Sequence, residues 1–180
     1  MKALIVVDVQ NDFCPGGALA VTDGDKVVDP INELSKQFEA DGLPIIFTRD
    51  WHPVNHLSFK ENGGVWPPHC IAGTPGAAFH TNLYFPSVAF LVSKATEPDM
   101  EAYSAFQGTG LASWLRQIDV DELVITGLAT DYCVKNTVID AVKLGFKVTV
   151  ALNAIRAVNV NPTDGETAIN EMKSLGVQIV

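Results

Sequence analysis

Three of the four histidines in this chain, with one aspartate, fall within twenty residues: Asp50-Trp51-His52-Pro53-Val54-Asn55-His56, then Trp66-Pro67-Pro68-His69. Imidazole and carboxylate together are the ligand set of zinc, iron and manganese. The spacing Asp50-x-His52 has a geometric consequence. At a strand end, residues i and i+2 point to the same side, so both side chains can reach one ion. His69 follows two prolines, which stiffen its approach. Asp50, His52 and His69 are therefore the first candidate ligands. His56 is a further one, and its role depends on whether residues 53–55 turn it inward. His80, after Ala77-Ala78-Phe79, reads as structural. A second chemistry is available to Cys133, which stands where a strand gives way to a helix. A helix N-terminus stabilises a thiolate and makes such a cysteine a candidate nucleophile.

The elements that must position these groups alternate along the chain. Residues 3–9 form a nearly continuous apolar run, as in a strand buried on both faces. Residues 27–40 carry apolar side chains at helical spacing (Val27, Val28, Ile31, Leu34, Phe38) and stop at Asp41-Gly42. Further strands are expected at 44–48, 88–92, 123–128, 146–152 and 177–180. Helices are expected at 111–118 with Thr109 as N-cap, at 131–144 closed by Gly145, and at 162–175 closed by Gly176. The alternation implies an α/β fold of three layers, α/β/α, around a six-stranded parallel sheet of Rossmann-like type. The whole chain, 1–180, reads as one domain. Residues 50–85 lack periodicity, and a loop that long inside a compact domain is usually functional.

In such a sheet a ligand sits beyond the carboxyl ends of the strands, near the point where strand order reverses. The unusual residues gather there. Asp8 ends strand one, Asp50 and His52 follow strand two, Lys94 follows strand three and Cys133 follows strand four. Asp8 is placed to take the thiol proton, and Lys94 to hold Asp8 and favour the thiolate by its charge. Taken singly these signals are weak, since a lone cysteine is more often a packed residue and a strand-end lysine is usually solvated. Their convergence on one rim carries the case. Cys14 reads as a loop residue and Cys70 as packing beside the metal loop.

Composition narrows the function classes. At 47% hydrophobic and 18% charged residues, the chain is expected to fold. The net charge of −9 argues against nucleic acid and anionic membranes. No apolar run approaches the roughly 20 residues that span a bilayer. Met1-Lys2-Ala3-Leu4-Ile5-Val6-Val7-Asp8 lacks the pattern of a signal peptide, so a cytoplasmic location is expected. Three cysteines are too few and too irregular for a disulfide framework. The turn after strand one, Gln10-Asn11-Asp12-Phe13-Cys14-Pro15-Gly16-Gly17, is not the glycine-rich turn of a dinucleotide module.

Five ordered segments then carry a resemblance that spans essentially the whole chain. Ile5-Val6-Val7-Asp8-Val9-Gln10-Asn11-Asp12-Phe13, Thr48-Arg49-Asp50-Trp51-His52, Trp66-Pro67-Pro68-His69-Cys70, Val92-Ser93-Lys94 and Gly127-Leu128-Ala129-Thr130-Asp131-Tyr132-Cys133-Val134 resemble motifs of the isochorismatase-like cysteine hydrolases. The Asp-x-His and His loop points to their nicotinamidase branch. The resemblance implies a catalytic triad of Asp8, Lys94 and Cys133. It implies one divalent metal ion, zinc first with iron or manganese as alternatives, on Asp50, His52 and His69. His56 matches a histidine that coordinates in some relatives only. Phe13 and Trp66 match aromatics flanking a pyridine ring. Ala129 and Cys133 match backbone donors of an oxyanion hole, with a cis peptide before Ala129. Tyr132 stands where other members place histidine, a change in the pocket wall that leaves the triad intact.

The implied reaction is hydrolysis of nicotinamide to nicotinate and ammonia through a cysteine thioester, in pyridine nucleotide salvage, with pyrazinamide as a second substrate. The expected partner is that small molecule, with no nucleic acid and no membrane, and the chain as a monomer or small homo-oligomer. The alternative is an amidase of the same superfamily acting on a carbamoyl or ureido compound. Such an enzyme would keep Asp8, Lys94 and Cys133 without needing the histidine loop. An isochorismate-type vinyl ether hydrolase needs no thiol, so Cys133 counts against it. The residues Thr96 to Gly108 are expected to close one side of the pocket, with Tyr103 and Phe106 either lining it or packing.

Overall fold

Lys2–Val7 forms β1, and all but its first residue are buried. Its side chains alternate between two cores. Ala3, Ile5 and Val7 pack on one face of the sheet with Leu115, Val138 and Met172. Leu4 and Val6 pack on the other with Val28, Ile31 and Phe38. Burial on both faces is why the strand reads as an unbroken apolar run.

The computed structural model describes residues 1–180. After β1 come α1 (Val28–Ala40), β2 (Ile45–Asp50), β3 (Phe90–Lys94), α2 (Leu111–Gln117), β4 (Glu122–Leu128), α3 (Lys135–Lys143), β5 (Lys147–Arg156), α4 (Asp164–Ser174) and β6 (Gln178–Ile179). The sheet order is β3-β2-β1-β4-β5-β6, and every pairing is parallel. This is the expected six-stranded α/β/α architecture. The chain builds outward from β1 to β3, then returns to add β4 on the other side of β1. The loops leaving β1 and β4 diverge there and open a crevice at the strand ends. No helix is long and apolar enough to cross a membrane.

Several boundaries differ from the sequence expectation, and two of the differences matter for the site. The third strand starts two residues later, because Val88 is exposed and stands outside it. Lys94 therefore lies inside β3, in register with Asp50 at the end of β2. The fourth-strand exit is a single π-type turn, Thr130–Val134, before α3 proper begins. Elsewhere, β5 runs on to Arg156 past a register shift near Ile125 and Gly127. Gly110 rather than Thr109 holds the N-cap position of α2, but the Thr109 hydroxyl still accepts from Leu111 N–H at 3.4 Å while donating to Ala105 O at 2.6 Å.

The long segment between β2 and β3 is pinned rather than loose. His52 and Ile71 form an isolated parallel bridge, as do Phe59 and Trp66. Short turns at Lys60–Asn62 and Pro75–Ala77 tighten the path, and Phe59 is wholly buried beneath it. The segment thus folds back and returns His69 to the neighbourhood of His52.

Candidate active site

The ligand atoms of Asp50, His52 and His69 lie within 4.8 Å of one another, and all three residues are buried. The backbone sets the orientation of both rings. His52 Nδ1 lies 3.1 Å from Ala95 O, and His69 Nδ1 lies 2.8 Å from Pro67 O. A carbonyl oxygen only accepts, so each Nδ1 carries a proton and each Nε2 is the ring atom left to face the site. Metal-binding histidines are held in this way, with the second ring nitrogen donating to a carbonyl or carboxylate. His52 Nε2 faces Asp50 Oδ2 at 3.7 Å. Two imidazole nitrogens and a carboxylate oxygen suit zinc, and three protein ligands leave room for water or substrate.

His56 stands outside this group. Its ring stacks on His52 at 4.1 Å between centroids, yet both of its nitrogens are occupied. Nε2 is 3.0 Å from Met100 O and therefore donates; Nδ1 accepts from the Ser58 hydroxyl at 2.7 Å. The turn at 53–55 brings the ring inward but spends its lone pair on Ser58. His80 lies away from the site and accepts from Asn82 N–H.

Lys94 is the centre of the other cluster. Its ammonium pairs with Asp8 Oδ2 at 2.9 Å and with Asp50 Oδ1, donates to Ala102 O at 3.0 Å, and sits 3.4 Å from Cys133 Sγ. Four acceptors share three protons, so the sulfur competes for its share. Asp8 is fixed by the Thr48 hydroxyl, which donates to Oδ1 at 2.7 Å. Asp8 Oδ2 carries no aligned hydrogen bond, and a lone pair is left for the thiol. Asp50 joins the two clusters, giving one oxygen to Lys94 and the other to the histidine side. The sequence marked Asp50 as a metal ligand and did not mark its contact with Lys94. The strand register that makes the contact was the missing information.

Burial and the charges packed beside each group set the proton affinities in opposition. Burial raises the Asp8 carboxyl above the ordinary range against the opposing charge of Lys94. It pushes the Cys133 thiol well up, again opposed by Lys94. Burial also disfavours the Asp50 anion, but Lys94 and His52 more than reverse this and hold its carboxyl below the usual range. His69 is lowered by burial, which favours the neutral ligand form. His52 is raised, because the facing Asp50 outweighs its desolvation. The Lys94 ammonium stays charged despite burial, held by Asp50 and Asp8.

A small, tight pocket of about 30 Å³ opens over these groups. Phe13, Trp66, Ala129, Tyr132 and Cys133 all line it, as do Asp50, His52 and His69. Trp66 Nε1 donates to Tyr103 OH at 3.0 Å, and its ring meets Tyr132 edge-on at 5.0 Å. Tyr103 therefore lines the pocket, whereas Phe106 packs against Phe146 in the core. Leu19, Glu101 and Val158 complete the wall, and no local pattern marked them. The Leu128–Ala129 peptide is cis. Larger hollows, such as the one between Lys2, Glu122 and Lys147 at the opposite end of the strands, gather no comparable set of groups.

Comparison with known proteins gives a consistent set of relatives. Residues 2–180 match the isochorismatase domain. The chain is 42% identical over 199 residues to a nicotinamidase of Escherichia coli (strain K12), covering 99% of this chain and 93% of that one. It is 40% identical over 188 residues to a nicotinamidase/pyrazinamidase of Mycobacterium tuberculosis, covering 100% and 98%. Among solved structures it is similar to the pyrazinamidase of Pyrococcus horikoshii in complex with zinc, with 51% identity and a TM-score of 0.95 over 99% of this chain and 98% of that one.

Proposed function

The chain belongs to the isochorismatase family, and from that premise we propose that it is a metal-dependent amidohydrolase converting nicotinamide to nicotinate and ammonia. Pyrazinamide, a ring amide with a similarly placed nitrogen, is the second expected substrate. One observation carries the reading: Asp50 is shared between a buried Asp-His-His trio and the Asp8, Lys94, Cys133 cluster, within one aromatic-walled pocket. An amidase that used the cysteine cluster alone would not need the trio.

Zinc is the ion this donor set fits, and the P. horikoshii relative is a zinc complex. Held by Asp50, His52 and His69, it would supply a Lewis-acid contact that orients the ring nitrogen of the substrate. Phe13 and Trp66 flank the ring and exclude water. Asp8 takes the proton of Cys133, and the thiolate attacks the carboxamide carbon. Lys94 stabilises both anions as the proton moves. The backbone N–H groups of Ala129 and Cys133 are the proposed donors to the tetrahedral oxyanion, an effect of roughly 3–4 kcal/mol per donor. Asp8 returns the proton to the departing nitrogen as the C–N bond breaks and ammonia leaves. Water then adds to the thioester with Asp8 accepting its proton, the C–S bond breaks as Asp8 passes that proton back to the Cys133 sulfur, and the acid is released and ionises to nicotinate. The reaction belongs to pyridine nucleotide salvage.

Ammonia release from nicotinamide by the purified protein tests the reading. Release is expected from the zinc-loaded protein, to be lost in Cys133→Ala and to fall on chelation. A folded, zinc-loaded protein that releases no ammonia from nicotinamide, but does so from carbamoyl or ureido compounds, would overturn it in favour of the other amidase chemistry.

A further inference from the structure

We propose that Gln10 and Asp12 are positioning residues that fix the metal-ligand trio against the Asp8 carboxylate, so that the segment leaving β1 registers both halves of the site. The inference rests on the zinc reading above. The three residues alternate, Asp8-x-Gln10-x-Asp12, and each grips a different part of the site.

Gln10 is fully buried, and its side-chain amide is spent on main chain. Nε2 donates to Asp50 O at 2.8 Å and to Ala77 O at 2.9 Å, while Oε1 accepts from Asp50 N–H at 2.8 Å. One planar group thus takes both main-chain polar atoms of Asp50. Rotation of Asp50 about its backbone would break two buried hydrogen bonds with strict directions. Asp50 presents one oxygen to Lys94 and the other to the histidines, so a small twist of its backbone would misplace both contacts.

Asp12 does the same for the other end of the metal loop. Its Oδ2 accepts from Cys70 N–H at 2.7 Å, and its Oδ1 accepts from Ala18 N–H at 3.1 Å. Cys70 follows His69 directly, is fully buried, and takes a left-handed conformation (φ 45°) that a residue with a Cβ adopts only when its surroundings impose it. Its carbonyl accepts from His52 N–H at 3.0 Å. Cys70 is therefore clamped by Asp12 on its N–H side and by His52 on its carbonyl side, which ties the backbones of both ligand histidines together. Gly76 seals the clamp. A Cβ built there would stand 2.3 Å from Asp12 Oδ2, so any larger residue must push the carboxylate aside.

Ordinary loop stitching would lower stability and leave the assembled metal site intact. A positioning role also lowers metal affinity in the folded protein, because a ligand held off its geometry binds more weakly. The test uses the full chain as wild type, Gln10→Ala, Gln10→Glu, Asp12→Asn and Gly76→Ala, each checked for fold by circular dichroism. Zinc affinity is titrated against a chromophoric chelator, and the visible spectrum of the cobalt(II)-loaded protein reports ligand geometry. Gln10→Ala and Gln10→Glu are expected to weaken zinc binding by about 10–100-fold. Gln10→Glu keeps the size of the side chain but turns an acceptor toward two carbonyls. Gly76→Ala, which changes no charge and no ligand, is expected to weaken binding several-fold and to shift the cobalt spectrum. Asp12→Asn should have the smallest effect, since it keeps an acceptor oxygen. Wild-type zinc affinity and an unchanged cobalt spectrum in the folded variants would overturn the inference and leave the zinc reading standing. A wild-type chain that binds no zinc would overturn both.

Discussion

Asp50, His52 and His69 reach one point from a single stretch of the chain, whereas Asp8, Lys94 and Cys133 arrive from the ends of β1, β3 and β4. The two halves are also held by different forces. Neutral main-chain carbonyls, Ala95 O and Pro67 O, orient the two histidines. The nucleophile half is held by charge, with one buried ammonium among two carboxylates and a sulfur. Neutral contacts keep their geometry across a wide pH range. Ion pairs persist only while both partners stay ionised. The metal half should therefore respond mainly to loss of ligands, and the nucleophile half to loss of charge.

The largest effect is expected from Lys94→Met. It would leave Asp8 and Asp50 buried without their cation, and removing one partner of a buried ion pair costs about 3–5 kcal/mol. Both thermal stability and ammonia release should fall together. A variant that melts like wild type would show that the cluster does not depend on the ammonium, and the contrast between the halves would fail.

His69→Ala should come next, with a more selective loss. It removes one of three ligands and leaves the Asp8, Lys94 and Cys133 contacts in place. The value of kcat/KM for nicotinamide should fall on the order of 100-fold, the scale of a misplaced substrate. Benzamide, which lacks the ring nitrogen, should lose much less. Equal losses for the two amides, measured by ammonia release, would mean that the metal half does more than orient the ring.

The smallest effect is on the acid limb of the rate profile. In the proposed mechanism Asp8 must be ionised to take the thiol proton. Burial raises its carboxyl above the ordinary carboxylate value of about 3.9. A raised pKa means that the protonated, inactive form gains as pH falls through that higher value. So kcat/KM should decline at a pH above the ordinary carboxylate range. A profile flat down to about pH 4 would remove Asp8 from the base role. The same limb in His69→Ala should keep its position, because His69 belongs to the other half.

The two halves also differ in how far they could be read from residues alone. The metal half is local. Asp50-x-His52 relies only on strand alternation, and the two prolines before His69 stiffen its approach on their own. The position of His56 was open because a three-residue turn decides it. The structure brings that ring inward and then engages both nitrogens with Ser58 and Met100. In the nucleophile half, each residue could be placed at a strand end, but the contact between Asp50 and Lys94 needed the β2–β3 register. A two-residue error in the start of the third strand was enough to hide it. Leu19, Glu101 and Val158 were invisible for the same reason, since nothing nearby in sequence says which side of a loop faces a pocket formed by three others.

Local physics in the sequence determined the alternation of strands and helices, the parallel sheet, the ligand types and the identity of the candidate nucleophile. Apolar periodicity, turn residues and side-chain chemistry act over a few residues and need no distant partner. The tertiary structure alone decided that Asp50 serves both clusters, that Gln10 and Asp12 grip the metal loop, and that burial rather than neighbouring charge governs Asp8 and Cys133. Those properties depend on distances between segments far apart in the chain and on how completely water is excluded, and both exist only once the strands have paired and the loops have closed over them.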